Sequence, residues 1–164
     1  MLSLVSAQRR EQALHYRHLF GQFCCLKSWL MLREMSGLEG EWRYNEYGKP
    51  YIPDGPYFSI SHCKESIAVA IDEEPVGIDI ESIRRVDDDL IIRTMCAREQ
   101  EEIQTAQNPA KAFTRLWTQK EAVVKAQGIG IQSFEQLRDI RMQNAEFKIQ
   151  TVEKEKYIYS IAHK

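Results

Sequence analysis

The sequence predicts a protein of the α+β class. In each half of the chain a segment with helical periodicity comes first, and short segments that alternate like strands come after it. The length of 164 residues fits one domain, or two small lobes sharing a core, and 43% of the residues are apolar. We therefore expect one unit with a packed interior.

A long helical segment opens the chain. Ser6 is a suitable N-cap and Gly37 a suitable stop, and from Ser6 to about Met35 apolar residues recur at the spacing of one helical face. Gly21 is the point at which this helix would divide if it is split in two. One or two helices are therefore predicted here.

A loop and three strands follow. The stretch from Glu41 to Pro56 is rich in turn residues, so it is predicted as a loop, and its four aromatic residues predict that it packs against the protein. The strands are short, rich in Ile and Val, and separated by turn residues. They are Phe58–Ser61, Ser66–Ile71 and Val76–Glu81.

The second half of the chain contains three predicted helices and two predicted strands. Asn108 and Pro109 are typical of a helix start and Gly128 of a helix end, so a long helix is expected from Pro109 to Gln127. Two shorter helices precede it and two alternating strands follow it. These elements are Leu90–Cys96, Ala97–Thr105, Phe147–Gln150 and Tyr157–His163.

Two carboxylates lie on one face of the strand Val76–Glu81. Asp79 and Glu81 are two residues apart, about 6–7 Å along a strand, so both can reach one cation. Gly77, on the same face, carries no side chain and would leave room for a ligand beside the backbone. The alternative interpretation is a solvated strand face.

Trp117, Glu121 and Lys125 form one row on the long helix, because they are four residues apart. In a structural interpretation, Trp117 belongs to the core and Glu121 pairs with Lys125 at the surface. In a functional one, Glu121 joins Asp79 and Glu81 around a cation, and Lys125 faces a phosphate. Three carboxylates, with waters and phosphate oxygens, are typical ligands of Mg²⁺.

Ser61 and His62 stand at the end of a predicted strand, where both side chains can donate hydrogen bonds to phosphate oxygens. The chain contains no Gly-x-Ser-x-Gly segment, so catalysis by a nucleophilic serine is disfavoured. It also lacks the glycine patterns of common nucleotide-triphosphatases and dehydrogenases.

Charge and cysteine content bound the partners and the compartment. A formal net charge of −2 excludes a general basic field for nucleic acid, and no apolar run is long enough for a membrane span. The four cysteines lack the spacing of a metal site or a disulfide scaffold, so a reducing cytoplasm is expected. They are Cys24, Cys25, Cys63 and Cys96.

Four segments, in order, carry a resemblance to a known family. They are Gly48-Lys49-Pro50, Phe58-Ser59-Ile60-Ser61-His62, Val76-Gly77-Ile78-Asp79-Ile80-Glu81 and Trp117-Thr118-Gln119-Lys120-Glu121-Ala122-Val123-Val124-Lys125. The chain resembles the 4′-phosphopantetheinyl transferase superfamily, in its longer, monomeric branch that activates carrier domains. The resemblance implies two similar lobes, residues 1–72 and 73–164, related by a pseudo-two-fold axis, with coenzyme A in the cleft between them.

The resemblance also implies roles for individual residues. The metal ligands of Mg²⁺ would be Asp79, Glu81 and Glu121. The residues in contact with coenzyme A would be Arg9, Lys49, Ser61, His62, Lys120 and Lys125. Asp79, Glu121 and Lys125 would be the catalytic residues.

The implied reaction moves the 4′-phosphopantetheine arm of coenzyme A to a serine of an apo acyl or peptidyl carrier protein and releases 3′,5′-adenosine bisphosphate. Glu121, directly or through a water molecule, would take the serine proton, and Lys125 would stabilise the leaving phosphate. An acidic carrier would dock on a basic rim formed by Arg84, Arg85, Arg93, Arg98 and Arg115. Two alternatives stay open: a Mg²⁺-dependent phosphoesterase, and a non-catalytic module that binds coenzyme A or a nucleotide.

Overall fold

The computed structural model describes residues 1–37, 42–140 and 146–164, and these residues form a mixed α+β structure, as predicted. The first half contains a short 3-10 helix (Leu2–Leu4), two α-helices and two β-hairpins. The helices are α1 (Ala7–Leu14) and α2 (Leu19–Ser36), and the strands are β1 (Arg43–Tyr44), β2 (Pro50–Tyr51), β3 (Tyr57–His62) and β4 (Ile67–Asp72).

In the second half of the chain, one strand comes first, four helices follow it, and two strands come last. These elements are β5 (Val76–Ser82), α3 (Asp88–Thr94), α4 (Ala97–Thr105), α5 (Pro109–Gln127), α6 (Phe134–Asp139), β6 (Lys148–Glu153) and β7 (Tyr157–His163). β7 lies between β5 and β6 in an antiparallel sheet. Among the described residues, no helix is both long and apolar enough to cross a membrane.

The hairpin β3–β4 lies against β5, and two serine side chains of β3 link β3 to β5. The hydroxyl of Ser59 accepts a hydrogen bond from the backbone N–H of Ile78 at 3.0 Å, and that of Ser61 accepts one from Ile80 at 3.3 Å. This alignment sets the end of β3, with Ser61 and His62, beside the acidic residues of β5.

The first helix does divide, but not at Gly21. α1 ends at Leu14 and α2 begins at Leu19, and Gly21 lies inside α2. A Cβ on Gly21 would lie 2.9 Å from Cδ1 of Tyr16, so the glycine makes room for the ring of a residue within the break.

Other differences from the predicted elements are local. The loop predicted from Glu41 to Pro56 contains the two-residue strands β1 and β2, and Glu41 itself lies outside the described residues. α3 begins two residues before Leu90, because the side chain of Asp87 caps it. α6 was not predicted at all.

α5 packs on β5 at Gly77, and this contact corrects the role expected for that glycine. A Cβ there would overlap the carbonyl oxygen of Ala122 and the amide nitrogen of Ala126. The space beside Gly77 is therefore filled by the α5 backbone and offers no approach for a ligand. Close packing brings the row on α5 next to the carboxylates of β5.

Candidate functional site

A cavity of about 360 Å³ lies where β3, β5 and α5 meet. Its lining comes from these three elements and from one residue of α2. The lining residues are Ser28, Ile60, Ser61, His62, Asp79, Glu81, Glu121 and Lys125. The two acidic residues of the strand and two residues of the helical row therefore share one cavity, together with the Ser-His pair.

Asp79 is the most deeply placed acidic residue of this cavity, with 3% of its surface exposed. Its Oδ1 accepts hydrogen bonds from the hydroxyl of Ser61 at 2.8 Å and from the ammonium of Lys125 at 2.7 Å. Its Oδ2 is buried and has no hydrogen-bond partner. A solvated strand face is therefore the wrong interpretation for Asp79.

Lys125 pairs across elements and not along its own helix. Its ammonium contacts Asp79 and also donates to the hydroxyl of Ser61 at 3.0 Å. The surface pair between Glu121 and Lys125 is therefore not the arrangement found. Trp117 does belong to the interior, partly buried and stacked on Phe113 with ring centroids 5.7 Å apart.

Burial and mutual repulsion raise the pKa values of two carboxyl groups in the cavity. Burial, followed by the charges of Asp79 and Glu81, raises the pKa of Glu121 to about 7, against the opposing effect of Lys125. Burial and Asp79 also raise the pKa of Glu81, while Arg84 and Lys125 oppose the rise. The cavity is thus short of positive charge at neutral pH.

A second cavity, of about 440 Å³, adjoins the first and shares Ser28, Ile60 and His62 with it. Arg9 lines it and is 1% exposed, with its guanidinium carbon 3.4 Å from the centroid of the Trp42 ring. Nε and Nη2 of Arg9 are buried without hydrogen-bond partners. Buried donors of this kind are costly unless an acceptor reaches them, so this cavity suits an anionic ligand.

Lys120, one of the predicted ligand residues, points away from the cavity. The ammonium of Lys120 is buried, pairs with Glu99 at 2.8 Å, and donates to the carbonyl oxygens of Thr94 and Leu137. All three of its protons are therefore engaged away from the cavity. The structure does not bring this residue to the site.

Lys49 joins a loop to the end of α5. Its ammonium donates to the carbonyl oxygens of Val76 at 3.2 Å and Ala126 at 3.4 Å, and burial lowers its pKa. The neighbouring Asn45 donates to the carbonyl oxygen of Gly128 at 2.8 Å. In this arrangement Lys49 contributes to packing between the loop and α5.

Sequence reasoning missed residues that line the cavities from the helices. Ser28 lines both, with its hydroxyl bonded to the carbonyl oxygen of Cys24 at 2.7 Å, and Gln12 lines the second with a buried Oε1 that has no partner. A serine within an apolar helical face was the available signal for Ser28. No pattern in the sequence distinguishes Gln12 from other surface residues of α1.

The three carboxylates share a cavity without forming an assembled metal site. Within residues 1–37, 42–140 and 146–164, no group of three or more His, Cys, Asp or Glu side chains is gathered closely enough to hold an ion. The donor chemistry nevertheless fits a hard cation, because Asp79 presents a buried oxygen without a partner and both glutamates lack a full counter-charge. Binding of a cation by all three residues would require their carboxylate groups to move closer together.

Comparison with known proteins gives a consistent result. A family model described as the 4′-phosphopantetheinyl transferase superfamily matches residues 75–163. A protein named 4′-phosphopantetheinyl transferase gsp, from Aneurinibacillus migulanus, is 36% identical over 118 residues, which are 71% of this chain and 50% of that protein.

Two further relatives carry related names. A 4′-phosphopantetheinyl transferase from Bacillus subtilis is 33% identical over 143 residues, 80% of this chain and 63% of its own length. A 4′-phosphopantetheinyl transferase AcpT from Salmonella typhi is 39% identical over 107 residues, 60% and 55% respectively. The chain thus spans about half to three-fifths of the length of these relatives.

Proposed function

Since the chain belongs to the 4′-phosphopantetheinyl transferase superfamily, we propose that it transfers the 4′-phosphopantetheine arm of coenzyme A to a serine of an apo acyl or peptidyl carrier protein. The product left behind is 3′,5′-adenosine bisphosphate. The observation that carries this proposal is the cavity in which acidic, basic and hydroxyl side chains converge from β3, β5 and α5.

The proposed metal is Mg²⁺, held by Asp79, Glu81 and Glu121. The unpartnered Oδ2 of Asp79 and the raised pKa values of both glutamates support a cation at this place. When bound, Mg²⁺ would neutralise charge on the phosphate oxygens of the substrate. These residues belong to β5 and α5, whose close contact at Gly77 keeps the strand and the helix in a fixed relation.

Coenzyme A is proposed to occupy both cavities, in a cleft between lobes formed by residues 1–72 and 73–164. Its nucleotide end would lie against Arg9, whose unpartnered N–H groups suit a phosphate. Its pyrophosphate would lie near Ser61 and His62, at the boundary of the two cavities. Lys49 and Lys120 are left out of this proposal, because other groups already hold their ammonium groups.

In the proposed reaction, the serine oxygen of the carrier attacks the β-phosphorus of the coenzyme A pyrophosphate. The bond from that phosphorus to the bridging oxygen breaks, and the bridging oxygen leaves on adenosine bisphosphate. Glu121, directly or through a water molecule, accepts the serine proton. Lys125 neutralises charge on the leaving phosphate.

The carrier protein is proposed to dock beside Arg84 and Arg85, which are exposed just after β5. Two other arginines of the basic rim already have acidic neighbours, because Arg115 pairs with Glu102, and Arg93 lies 3.7 Å from Asp89. We further propose that the protein acts as a monomer in the cytoplasm, where its four free cysteines would stay reduced.

Mass spectrometry of an apo carrier protein tests the proposal directly. Incubation with this protein, coenzyme A and Mg²⁺ should add the mass of the phosphopantetheine arm to the carrier. Hydrolysis of coenzyme A without modification of the carrier would indicate the phosphoesterase instead. Binding of coenzyme A with no turnover, across carriers of fatty acid, polyketide and peptide synthesis, would indicate the non-catalytic module.

A further inference from the structure

The ammonium of Lys125 holds one carboxylate oxygen of Asp79, the buried residue of the proposed cation site. It lies 2.7 Å from Oδ1 of Asp79 and 3.0 Å from the hydroxyl of Ser61. The side chain of Asp79 is 4% exposed and that of Lys125 is 30% exposed. The aspartate is therefore fixed in the interior, while the lysine reaches it from the open side of the cavity.

Lys125 also acts on the other two carboxyl groups. Its charge opposes the rise in pKa at both Glu81 and Glu121. Within the described part of the chain it is the positive charge that all three carboxyl groups share, since Arg84 influences Glu81 but is not among the causes at Glu121. One ammonium against three carboxyl groups leaves the cavity electrostatically unsatisfied, in agreement with the unpartnered Oδ2 of Asp79.

We propose that Lys125 is an exchangeable internal counter-ion, which holds Asp79 until a divalent cation replaces it and then moves to a phosphate of the incoming substrate. The identity of that phosphate rests on the proposed function. The exchange itself rests on the ion pair, the hydroxyl contact and the buried free oxygen.

The exchange makes the two ligands depend on each other. A cation that binds Asp79 alone repels the ammonium that lies 2.7 Å from Oδ1 of the same residue. The displaced ammonium then has no anion to contact other than the carboxylates already engaged by the cation. A phosphate that arrives with the cation accepts the displaced ammonium. Cation and coenzyme A should therefore bind with positive coupling, and by linkage each must raise the affinity of the other by the same factor.

Removal of the ammonium should consequently strengthen binding of the cation alone. The test measures binding of Mn²⁺ in the absence of coenzyme A and carrier, by electron paramagnetic resonance of the free ion. We expect Lys125→Gln to lower the Kd for Mn²⁺ at least tenfold relative to the unaltered protein, and Lys125→Arg, which keeps the charge, to leave it within about threefold. Adding Asp79→Asn to Lys125→Gln should abolish the gain.

Lys111 provides a matched control on the same helix. Lys111 lies near the start of α5, and its ammonium forms an ion pair of the same length, 2.7 Å, with Glu153 of β6. Lys111→Gln removes one positive charge from the molecule but none from the cavity. The Kd for Mn²⁺ should therefore stay unchanged, which separates exchange at the site from a change in net charge.

Equal or weaker Mn²⁺ binding by Lys125→Gln, or no measurable binding by either protein, overturns the counter-ion proposal. If Lys125→Gln does not melt cooperatively, Ser61→Ala replaces it. This variant removes one of the two contacts of the ammonium, together with the hydrogen bond from Ser61 to Asp79, and should show a smaller gain in the same direction. An unchanged Kd in Ser61→Ala would then overturn the proposal. The outcome is independent of the transfer assay, since no coenzyme A or carrier is present.

Discussion

Glu121 is a carboxyl group of the cavity with a pKa close to cellular pH. Burial and the neighbouring charges of Asp79 and Glu81 raise its pKa to about 7, against the opposing effect of Lys125. A carboxyl group in this range exchanges a proton readily at cellular pH, whereas an unperturbed glutamate stays ionised. The same perturbation makes the group testable in two ways.

The first test concerns catalysis. Glu121→Gln keeps the shape of the side chain and removes its charge and its proton acceptor, so transfer should fall by about 10²–10⁴-fold with the fold retained. Carrier modification is measured by mass spectrometry, and folding by a cooperative thermal melt. A folded variant that modifies carrier at near the original rate would contradict the assignment of Glu121.

The second test concerns stability without ligand. The pKa of Glu121 is higher in the folded protein than in the unfolded chain, where it is about 4.5, so folding takes up a proton between these values. The contribution of Glu121 to stability is therefore most favourable below pH 4.5 and is lost as pH rises through 7, by on the order of 3 kcal/mol.

Denaturant unfolding at pH 5 and pH 8 measures this effect as a difference between proteins. The loss of stability on going to pH 8 should be smaller in Glu121→Gln than in the unaltered chain, and the contributions of all groups common to the two proteins cancel in the comparison. Identical pH dependence in the two proteins would mean that Glu121 has an ordinary pKa.

Lysine side chains mark a limit of prediction at this scale. Lys125 enters the cavity, whereas Lys49 and Lys120 donate to carbonyl oxygens elsewhere. The position of each lysine in its sequence motif does not reveal this difference. A long flexible side chain takes its direction from acceptors supplied by other elements. Those acceptors become known only when the elements are packed.

The contact between β5 and α5 determines the site at the level of elements. Gly77→Ala would place a methyl group against the backbone at Ala122 and Ala126, which cannot rotate away as a side chain can. We expect the substitution to cost at least about 1–3 kcal/mol and to reduce transfer, because α5 would shift away from β5. Chemical denaturation and the transfer assay measure the two effects.

Gly21→Ala is the matched control for this substitution. Its added methyl would lie 2.9 Å from Cδ1 and 3.2 Å from Cβ of Tyr16, whereas at Gly77 it would lie 1.9 Å from a backbone oxygen. The loss of stability should be clearly smaller than for Gly77→Ala. Equal losses of stability in the two variants would show that the close approach of α5 at Gly77 matters no more for stability than the contact at Gly21.

The elements that were predicted well are those with strong local signals. α5 begins after Asn108, at Pro109, and ends before Gly128, as predicted. The side chain of Asn108 caps the helix by accepting a hydrogen bond from the backbone N–H of Lys111. α6 was not predicted, because six residues are too few to establish a helical period. The N-cap residue Ser133 was the one local signal for this helix. The strands β1 and β2 have two residues each, which leaves no alternation to detect.

At the scale of the whole molecule, charge predicts how a partner approaches. The formal net charge is −2, so an acidic carrier meets overall repulsion and must be guided by the local pair Arg84 and Arg85. Arg84→Glu should raise the KM for carrier about fivefold or more and leave kcat within about twofold. Added salt should have the same effect, because exposed charges more than about 8–10 Å apart are screened at ordinary ionic strength.

Steady-state kinetics with the carrier as varied substrate measure both constants. Lys154→Glu, at the exposed turn between β6 and β7, changes net charge by the same amount and should leave KM nearly unchanged. Equal effects of the two substitutions would indicate that overall charge matters and that the carrier docks elsewhere.

The arrangement of the two cavities could not be predicted from the sequence. The motifs supplied the acidic and basic residues of the first cavity, whereas Gln12, Ser28 and Tyr16 reach the cavities only because the break after α1 lays α1 and α2 along them. Such long-range placement depends on packing between distant segments, which local periodicity does not encode.

The stacking of Arg9 on Trp42 gives the protein a built-in optical signal. The indole lies directly under the guanidinium, and its Nε1 donates to the hydroxyl of Tyr44, so its emission depends on the charge and polarity of the second cavity. The other two tryptophans, Trp29 and Trp117, are not among the residues that line it. Occupancy of this cavity can therefore be followed by intrinsic fluorescence without any attached dye, and Trp42→Phe identifies the part of the signal that comes from it.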